Sequence, residues 1–405
     1  MPLLRAVATA LVLLSLSFEA AGQGVASPVP RASASFAAAG GEDVTETRPA
    51  VPRPLIHAFE TGDREALGAL SDLARIPLEA IEGLDVTDAD RAGAAGIGPT
   101  FDRVYLDAVV AMHDEARGQV QLVRLLRRAD GWVAVFRFWA SGSGDRLALT
   151  YVEAMVSTEG RLVDLYFHWD GTRVSERLRL AIYALIAERD PGPLAGMLGV
   201  QRLSRDDARR WLEALVLAPS GAGAAVAEAM DGMEASNRVT RQWMLERLRV
   251  ANVLGDRATA RATMAHLEAR FADDPGLQAL YWHYAGLRDD HADELVHFMA
   301  FRRTITPDPR LDQLACRVAV RAERWTDGVV SCAHATVGLP DESEGWNGLV
   351  FSTGQAADAR AFIDAVEGYE RRFERRLDVQ AMAEGESMDA LIADPVFQAW
   401  MDTRR

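Results

Sequence analysis

The spacing of hydrophobic and polar positions changes once along the chain and divides it into two parts. Between residues 119 and 169 apolar and polar side chains tend to alternate, which is typical of strands buried on one face. We predict four strands, over residues 119–128, 132–140, 146–157 and 161–169, with Asp130-Gly131 as the first hairpin turn. After about residue 173 the apolar positions recur at the period of amphipathic helices.

Helices are also expected before the strands. Asp63 is placed to cap a helix over residues 63–75, and Phe101, Val104 and Tyr105 belong to a helical spacing. Helices followed by a four-stranded antiparallel meander predict an α+β fold over residues 55–172. The arrangement resembles the cone-shaped folds of nuclear transport factor 2-like and cystatin-like proteins. It does so without a shared motif, so the resemblance implies a fold and no function.

Helix pairs follow one another from about Trp243 onwards. In the clearest pair Cys316 is followed twelve residues later by Gly328, seven later by Ala335 and five later by Pro340. Small residues at such positions let two helices cross closely, and the proline ends the second helix. Ala260 lies early in another predicted helix and precedes Gly328 by two equal periods of about 34 residues.

A helix–turn–helix period of this length resembles the tetratricopeptide repeat. The resemblance implies an all-α solenoid whose stacked helix pairs offer a surface to protein or peptide partners. The middle pair departs from the pattern because Glu294 stands where a small residue is expected. In a fourth pair, from Trp346 to Phe373, the best-matching small residue is Ala359, which follows Gly328 at less than one full period. An irregular helical bundle without repeats is the alternative.

The N-terminus has the features of a secretory signal. Arg5 precedes an apolar run over residues 6–18, and small residues follow, so cleavage is expected near Gly22 to Ala26. The run is short for a membrane span, although an uncleaved anchor is the alternative. We therefore divide the chain into a signal peptide (1–22), a disordered linker (23–54), the α+β domain (55–172), connecting helices (173–239) and tetratricopeptide-like repeats with a C-terminal cap (240–405).

Composition narrows the classes of function. The net charge of −15 argues against nucleic-acid binding, which needs a basic surface. All 44 basic residues are arginine, which excludes lysine Schiff-base chemistry. Phosphate-loop, zinc-protease and nucleophile-elbow motifs are missing, and His283, His291 and His297 lack the mutual spacing of a helical metal pair. We expect no cofactor, no metal and no stable membrane insertion once the signal is removed.

The two cysteines are expected to pair. Cys316 and Cys332 each lie eight residues from Arg324, at the turn between two predicted antiparallel helices, which places them at the same height. An oxidising periplasmic or extracellular compartment would favour a disulfide. Two buried thiols that never bond are the alternative, because the Cα atoms could lie too far apart.

Four residues of the α+β domain are candidates for ligand binding. Asp164, Tyr166 and His168 alternate onto one face of the fourth predicted strand, and Arg137 lies on a neighbouring strand. Asp164 and His168 are roughly 13 Å apart along a strand, so they cannot form a general-base pair with each other. No catalytic residue is assigned. The simpler interpretation is that this is the solvent face of a half-buried sheet.

The repeats suggest a second candidate surface. Trp282, Tyr284, Arg302 and Arg303 are aromatic and basic side chains that could line a partner groove, or could equally be packed or solvated. The sequence thus favours an exported, non-enzymatic protein-binding or scaffold protein. The alternative is small-molecule binding, or a hydrolytic or isomerase-type activity, in the cone of the α+β domain.

Overall fold

The computed structural model describes residues 37, 40–82, 84, 86–117, 119–140, 148–168, 171–187, 190–200, 202–217, 223–305, 307–385 and 388–404. The predicted signal peptide and half of the predicted linker lie outside the described residues. The other half of the linker, residues 37 and 40–54, is described and contains a two-residue strand, Glu42–Asp43. The chain divides into two compact units, Met1–Leu280 and Tyr281–Arg405. The first unit holds an antiparallel sheet and helices, and the second is helical over its described residues. The predicted start of the repeats, at residue 240, lies inside the first unit.

Within the described residues the sheet has six strands, not the predicted four. They are β1 (Glu42–Asp43), β2 (Val120–Arg128), β3 (Gly131–Ala140), β4 (Ala148–Val156), β5 (Leu162–Phe167) and β6 (Thr172–Arg173). The strands pair in chain order and every pairing is antiparallel. The two additional strands are two residues long, too short to show an alternating pattern, and each extends one edge of the sheet. The predicted turn over residues 141–145 lies outside the described residues.

Gly131 shows why the first hairpin turns where it does. The residue begins β3 with a φ of 141°, which favours glycine. A Cβ atom at this position would lie 2.0 Å from the carbonyl oxygen of Val156 on β4. The two turn residues are therefore Ala129 and Asp130, one position earlier than predicted.

Ten α-helices are described in the first unit. They are α1 (Arg53–Thr61), α2 (Arg64–Leu70), α3 (Ile76–Glu79), α4 (Asp88–Glu115), α5 (Val174–Ile186), α6 (Gly192–Leu198), α7 (Arg205–Leu217), α8 (Gly223–Asp231), α9 (Arg241–Val253) and α10 (Arg257–Phe271). Helix α4 starts earlier than the predicted 100–113, because Thr87 and Asp90 form a capping box ahead of its glycine-rich first half.

One face of the sheet packs against helices to form the apolar core. Phe136 of β3 stacks on Phe59 of α1 with ring centroids 4.4 Å apart, and Tyr105 of α4 lies 6.5 Å from Phe167 of β5. These residues are buried, as are the neighbouring aliphatic side chains of β2, β4 and β5. Burial of this apolar surface is the main driving force for folding of the unit.

From α9 to residue 373 the described helices follow one another in pairs. Helix α11 (Gln278–Leu287) continues from a 3₁₀ turn, Pro275–Leu277, and the boundary between the two units falls within it. The remaining helices are α12 (His291–Ile305), α13 (Pro309–Arg321), α14 (Trp325–Gly338), α15 (Ser343–Gln355), α16 (Ala359–Phe373), α17 (Val379–Gly385), α18 (Asp389–Ile392) and α19 (Pro395–Arg404). No described helix is both long and apolar enough to cross a membrane.

The helix pairs recur at a constant step along the chain. The first segments of four successive pairs begin at positions 241, 275, 309 and 343, and the second helices begin at 257, 291, 325 and 359. The fourth pair is therefore in step with the others. The distance found from the sequence for this pair was shorter because Gly328 and Ala359 do not occupy equivalent positions in their helices. The position equivalent to Gly328 in that pair is Phe362.

The turns within the pairs repeat with the same step. Gly255, Asp289, Glu323 and Ala357 all have φ between 53° and 67°. Three of these residues are not glycine. Because their Cβ atoms disfavour the left-handed conformation, that conformation costs about 1–2 kcal/mol in each of these three turns. In every turn the next residue donates its N–H to a carbonyl five residues earlier. The recurring bond closes the first helix and positions the second.

Glu294 occupies the equivalent of Gly328 without disrupting its pair. The side chain is buried in α12, and Oε1 lies 2.5 Å from Nη2 of Arg321 while Oε2 lies 3.1 Å from Nδ1 of His291. Gly286 makes room for it, since a Cβ atom there would lie 3.1 Å from Oε1 of Glu294. A large acidic side chain is therefore accommodated where a small residue was expected, because Gly286 leaves space for it and Arg321 pairs with its charge.

The two cysteines form a disulfide bond between α13 and α14. The sulfur atoms of Cys316 and Cys332 are 2.07 Å apart and the Cα atoms 4.6 Å apart. Gly348 of α15 packs directly against the bond, because a Cβ atom there would lie 2.3 Å from Sγ of Cys316. The disulfide and the following helix therefore share one tightly packed crossing.

Candidate functional site

The second face of the sheet carries the predicted ligand-binding residues, and it is buried. Asp164, Tyr166 and His168 expose only 9%, 0% and 4% of their surface. The interpretation of this face as solvent-exposed is therefore wrong. Alternation along β5 was predicted correctly, but a sequence pattern does not show that distant segments cover the polar side as well.

His168 is paired with a carboxylate from the neighbouring strand. Its Nε2 atom lies 2.7 Å from Oε1 of Glu153, which is fully buried. The other carboxylate oxygen of Glu153 accepts the backbone N–H of Ala37 at 2.9 Å. Tyr166 and Tyr151 meet the imidazole edge-to-face, with ring centroids 4.9 and 6.3 Å away. The packed rings and the bond to Glu153 hold the imidazole in one orientation.

Glu153 was not identified from the sequence. In the antiparallel pairing of β4 and β5, Glu153 stands opposite Tyr166 and diagonal to His168. Diagonal side chains on one face can reach each other. The sequence could have identified Glu153 as the partner of His168 if the register of the β4–β5 hairpin had been worked out from its turn.

Asp164 serves the start of a helix. Its Oδ1 accepts the N–H of Ser175 at 3.1 Å, and its Oδ2 accepts the Ser175 hydroxyl at 2.5 Å. These bonds satisfy donors at the first turn of α5. Burial raises the pKa of Asp164, while the Ser175 bonds act in the opposite direction. The described contacts of Asp164 do not include His168.

Tyr166 connects the sheet to the segment before α11. Its hydroxyl donates to the carbonyl oxygen of Gly276 at 3.3 Å. Nearby, Nε of the fully buried Arg241 lies 2.7 Å from Oδ2 of Asp274. Burial and the charge of Glu153 raise the pKa of Tyr166 well above its usual value. The residue is thus a neutral hydrogen-bond donor inside the unit.

The described hydrogen bond of Arg137 leads to β2. This arginine lies opposite Tyr151 in the β3–β4 pairing, and its Nη2 atom donates to Oε1 of Gln121 at 2.5 Å. The described hydrogen bonds of the four predicted residues lead to four different elements, namely β2, β4, α5 and the segment before α11, while the rings of Tyr166 and His168 also meet edge-to-face.

The chemistry available to this polar face is limited by access. A histidine oriented by a carboxylate is the usual arrangement of a general base. A base must also reach the proton it removes, and the His168–Glu153 pair is buried under other parts of the unit. In the described form the pair stabilises a contact inside the first unit.

The four predicted groove residues of the helical part have different environments. Trp282 packs on Phe298 and Phe301, at ring-centroid distances of 4.8 and 5.8 Å. Tyr284 is buried beneath the guanidinium of Arg288. The two aromatic residues therefore pack among helices and do not form a shared open surface.

The two groove arginines also differ from each other. Arg302 is bound to Asp312, with Nε 2.9 Å from Oδ1, whereas Arg303 is exposed.

In the same helix, Asp293 and His297 are four residues apart, and their Oδ1 and Nε2 atoms are separated by 3.4 Å. That spacing can present two ligands to one metal ion.

The second unit also presents exposed apolar positions. Val296 of α12 and Val330 of α14 occupy equivalent positions in two successive pairs, with 61% and 54% of their surface exposed. Val337 lies two helical turns beyond Val330 and is 82% exposed. Solvent-accessible valines at repeated positions are candidates for contact with another protein.

A charged ladder, defined here as Arg310, Gln313, Arg317, Glu342 and Glu344, joins the starts of α13 and α15. Gln313 donates to both glutamates, at 3.0 and 2.9 Å, and Nε of Arg317 lies 2.7 Å from Oε1 of Glu344. Arg310 is bonded to Glu342. The charged members are partly exposed, so solvent reaches this network.

The chain was also compared with known proteins. No protein-family model, curated protein or solved structure matches it significantly.

Proposed function

We propose that this chain is an exported, tetratricopeptide-like repeat protein that binds a protein or peptide partner through its helix pairs. The supporting observation is the constant step of about 34 residues, which separates the starts of the four first segments, the starts of the four second helices and the four left-handed turns. Helix pairs of this length stack into solenoids whose extended surfaces suit polypeptide partners. The helices α17–α19 act as the cap of the stack, with Phe397 packed on Phe362.

Two features favour export. The N-terminal sequence has a charged start, an apolar run and small residues at the expected cleavage site. The Cys316–Cys332 disulfide suits an oxidising compartment. We expect the mature protein in the periplasm or outside the cell, beginning near Gln23.

The alternative, a small-molecule site or enzyme in the sheet, has less support. A substrate would have to reach His168 or Asp164, and both are buried by neighbouring segments of the same unit. The exposed valines of α12 and α14 and the charged ladder are accessible without any rearrangement. Binding by the helical part therefore requires fewer changes from the described form.

Site-specific photocrosslinking in the full-length exported protein tests the proposal. A photoreactive residue is placed at His334 on α14, at Asn347 on α15, or at Arg179 on α5, all of them exposed. The Arg179 position is the matched control on the sheet unit. We expect a crosslinked adduct of one defined mass from His334 or Asn347, and no such adduct from Arg179.

The result also defines what would contradict the proposal. An adduct that forms equally at all three positions would indicate non-specific contact. No adduct at His334 and Asn347, with a defined one at Arg179, would assign partner contact to the sheet unit instead. Recovery of the full-length chain from the cytoplasm, with the stretch from Met1 to Gly22 intact, would contradict export.

A further inference from the structure

The most exposed large apolar side chains lie on the second helices of the helix pairs. Among the described residues, Val337, Val296 and Val330 have the highest exposed fractions of this class, at 82%, 61% and 54%. Val330 and Val337 are seven residues apart on α14, which is two helical turns, so they lie on one face of the helix. Ala333 lies between them on that face. Helix α14 therefore presents an apolar strip to solvent, and such strips mark contact sites.

The two valine positions of α14 are charged in the next pair. Asp364 and Arg371 of α16 follow Val330 and Val337 by the constant step. Both are exposed, and neither forms a hydrogen bond or ion pair with any part of the chain that the structure describes. Two helical turns, about 10.5 Å along the axis, separate them, so they are not neighbours of each other. Helix α16 thus offers one negative and one positive side chain where α14 offers two apolar ones.

A second copy of this face is complementary to the first. A two-fold axis can lie between two copies and cross α14 at a right angle, midway between Val330 and Val337. Each α14 is then antiparallel to the other, and Val330 of each copy meets Val337 of the other. The repeat gives α16 the same orientation as α14, so Asp364 of each copy meets Arg371 of the other. Apolar positions therefore meet apolar ones, and each charge meets its opposite.

Helix α12 fits the same arrangement. Its equivalent positions hold Val296 and the exposed Arg303. The axis brings Val296 against Arg303 of the other copy, whose apolar stem can cover the valine while the guanidinium stays in water. A two-fold axis along α14 would instead make the helices parallel and place Arg303 against Arg371 of the other copy. Facing like charges are unfavourable, so the antiparallel arrangement is preferred.

We propose that the chain self-associates as an antiparallel two-fold dimer through the second helices α12, α14 and α16. Contacts of this small size are weak, and we expect a dissociation constant on the order of 10–100 μM. The proposal goes beyond the partner binding proposed above and does not rest on it. The charged ladder and the exposed Asn347 lie at the first helices α13 and α15, which stay available to a polypeptide partner.

Analytical ultracentrifugation of the purified full-length chain tests the dimer. The mean particle mass is measured between about 1 and 300 μM, a range that spans the expected dissociation constant. We expect one chain per particle at the lower end and a mass approaching two chains at the upper end. Val330→Asp and Val337→Arg, each alone, place a charge against a valine of the other copy and should weaken association about tenfold or more. Both valines are exposed, so each variant should fold.

An equimolar mixture of the two variants tests the register. In a mixed dimer the introduced carboxylate of one variant faces the introduced guanidinium of the other, and the two remaining valines face each other. The mixture should therefore associate much more strongly than either variant alone. Asn347→Asp is the control, because it adds the same negative charge to an exposed position on the first helix α15. This variant should associate like the unmodified chain.

Several results would overturn the proposal. One is a mass of a single chain up to the highest concentration. Others are single variants that associate like the unmodified chain, or a mixture that associates no better than its components. Particles larger than two chains would indicate a head-to-tail contact and would likewise exclude the two-fold dimer. Because only the purified chain is present, none of these outcomes bears on the binding of a separate partner.

Discussion

Two polar networks, one in each unit, join neighbouring elements under different conditions. In the first unit Glu153 and Arg241 are fully buried, and their partners are His168 and Asp274. In the second unit the charged ladder between α13 and α15 is partly exposed. A buried charge must keep its partner, whereas a solvated charge can exchange its partner for water. The same kinds of side chain should therefore differ greatly in their effect on stability.

The largest effect is expected from Asp274→Ala. This change removes the carboxylate that lies 2.7 Å from Nε of Arg241, a side chain with no exposed surface. Removing one member of a buried ion pair destabilises a protein by about 3–5 kcal/mol. Chemical denaturation with urea should show this loss in the transition of the first unit.

A double variant provides the control for that measurement. Arg241→Met combined with Asp274→Leu removes both charges, and it should recover most of the stability lost in the single variant. If Asp274→Ala unfolds at the same urea concentration as the unmodified protein, the buried network is not essential, and the contrast between the two units is lost.

A smaller loss is expected from Gly348→Ala in the second unit. If the charged ladder contributes little to the stability of the second unit, close packing where helices cross must stabilise it. Gly348 lies at such a crossing, between α15 and the disulfide. Its new Cβ atom would lie 2.3 Å from Sγ of Cys316 and 2.9 Å from Sγ of Cys332. Overpacking of this kind costs about 1–3 kcal/mol.

Gly96→Ala is the matched control for the crossing. Gly96 is also a helical glycine, in α4, and a Cβ atom there meets nothing within 4 Å. Replacement by alanine should stabilise α4 by about 0.5–1 kcal/mol. Equal effects of the two substitutions in thermal or urea denaturation would mean that α15 does not pack tightly against the disulfide.

The smallest effect is expected from Glu344→Gln in the ladder. The change removes one charge but leaves a side chain that can still accept from Gln313 and Arg317. Partly exposed ion pairs contribute about 0–1 kcal/mol, and salt screens them. The difference from the unmodified protein should shrink further in denaturation experiments at high salt. A loss comparable to that of Asp274→Ala would contradict the comparison.

Local patterns predicted the elements better than their environments. Alternation and helical spacing identified the four long strands and the helix pairs, because each depends on residues close in sequence. The repeat step was found from small residues, and the fourth pair then seemed out of step. The turns were a better guide, since Gly255, Asp289, Glu323 and Ala357 recur at equal intervals.

The polar face of the sheet shows what a single strand could not reveal. Asp164, Tyr166 and His168 look like solvent-facing residues because polar residues usually are. The covering contacts to this face come from Ala37 and the Asp274–Gly276 segment, which lie more than a hundred residues from the residues they contact. Glu153 likewise becomes the partner of His168 only through the register of two strands.

The accessibility of His168 is the most direct test of the claim that the sheet is closed and that the helices offer the available surface. The native full-length protein is treated with diethyl pyrocarbonate at pH 7, and modification of each histidine is followed by mass spectrometry, with the denatured chain as reference. His334, exposed on α14, should react almost as fast as in the denatured chain. His168 should react at least about tenfold more slowly, because it becomes accessible only through local opening. Modification of His168 at the rate of His334 would show an open polar face and would favour a ligand-binding or catalytic role for the sheet.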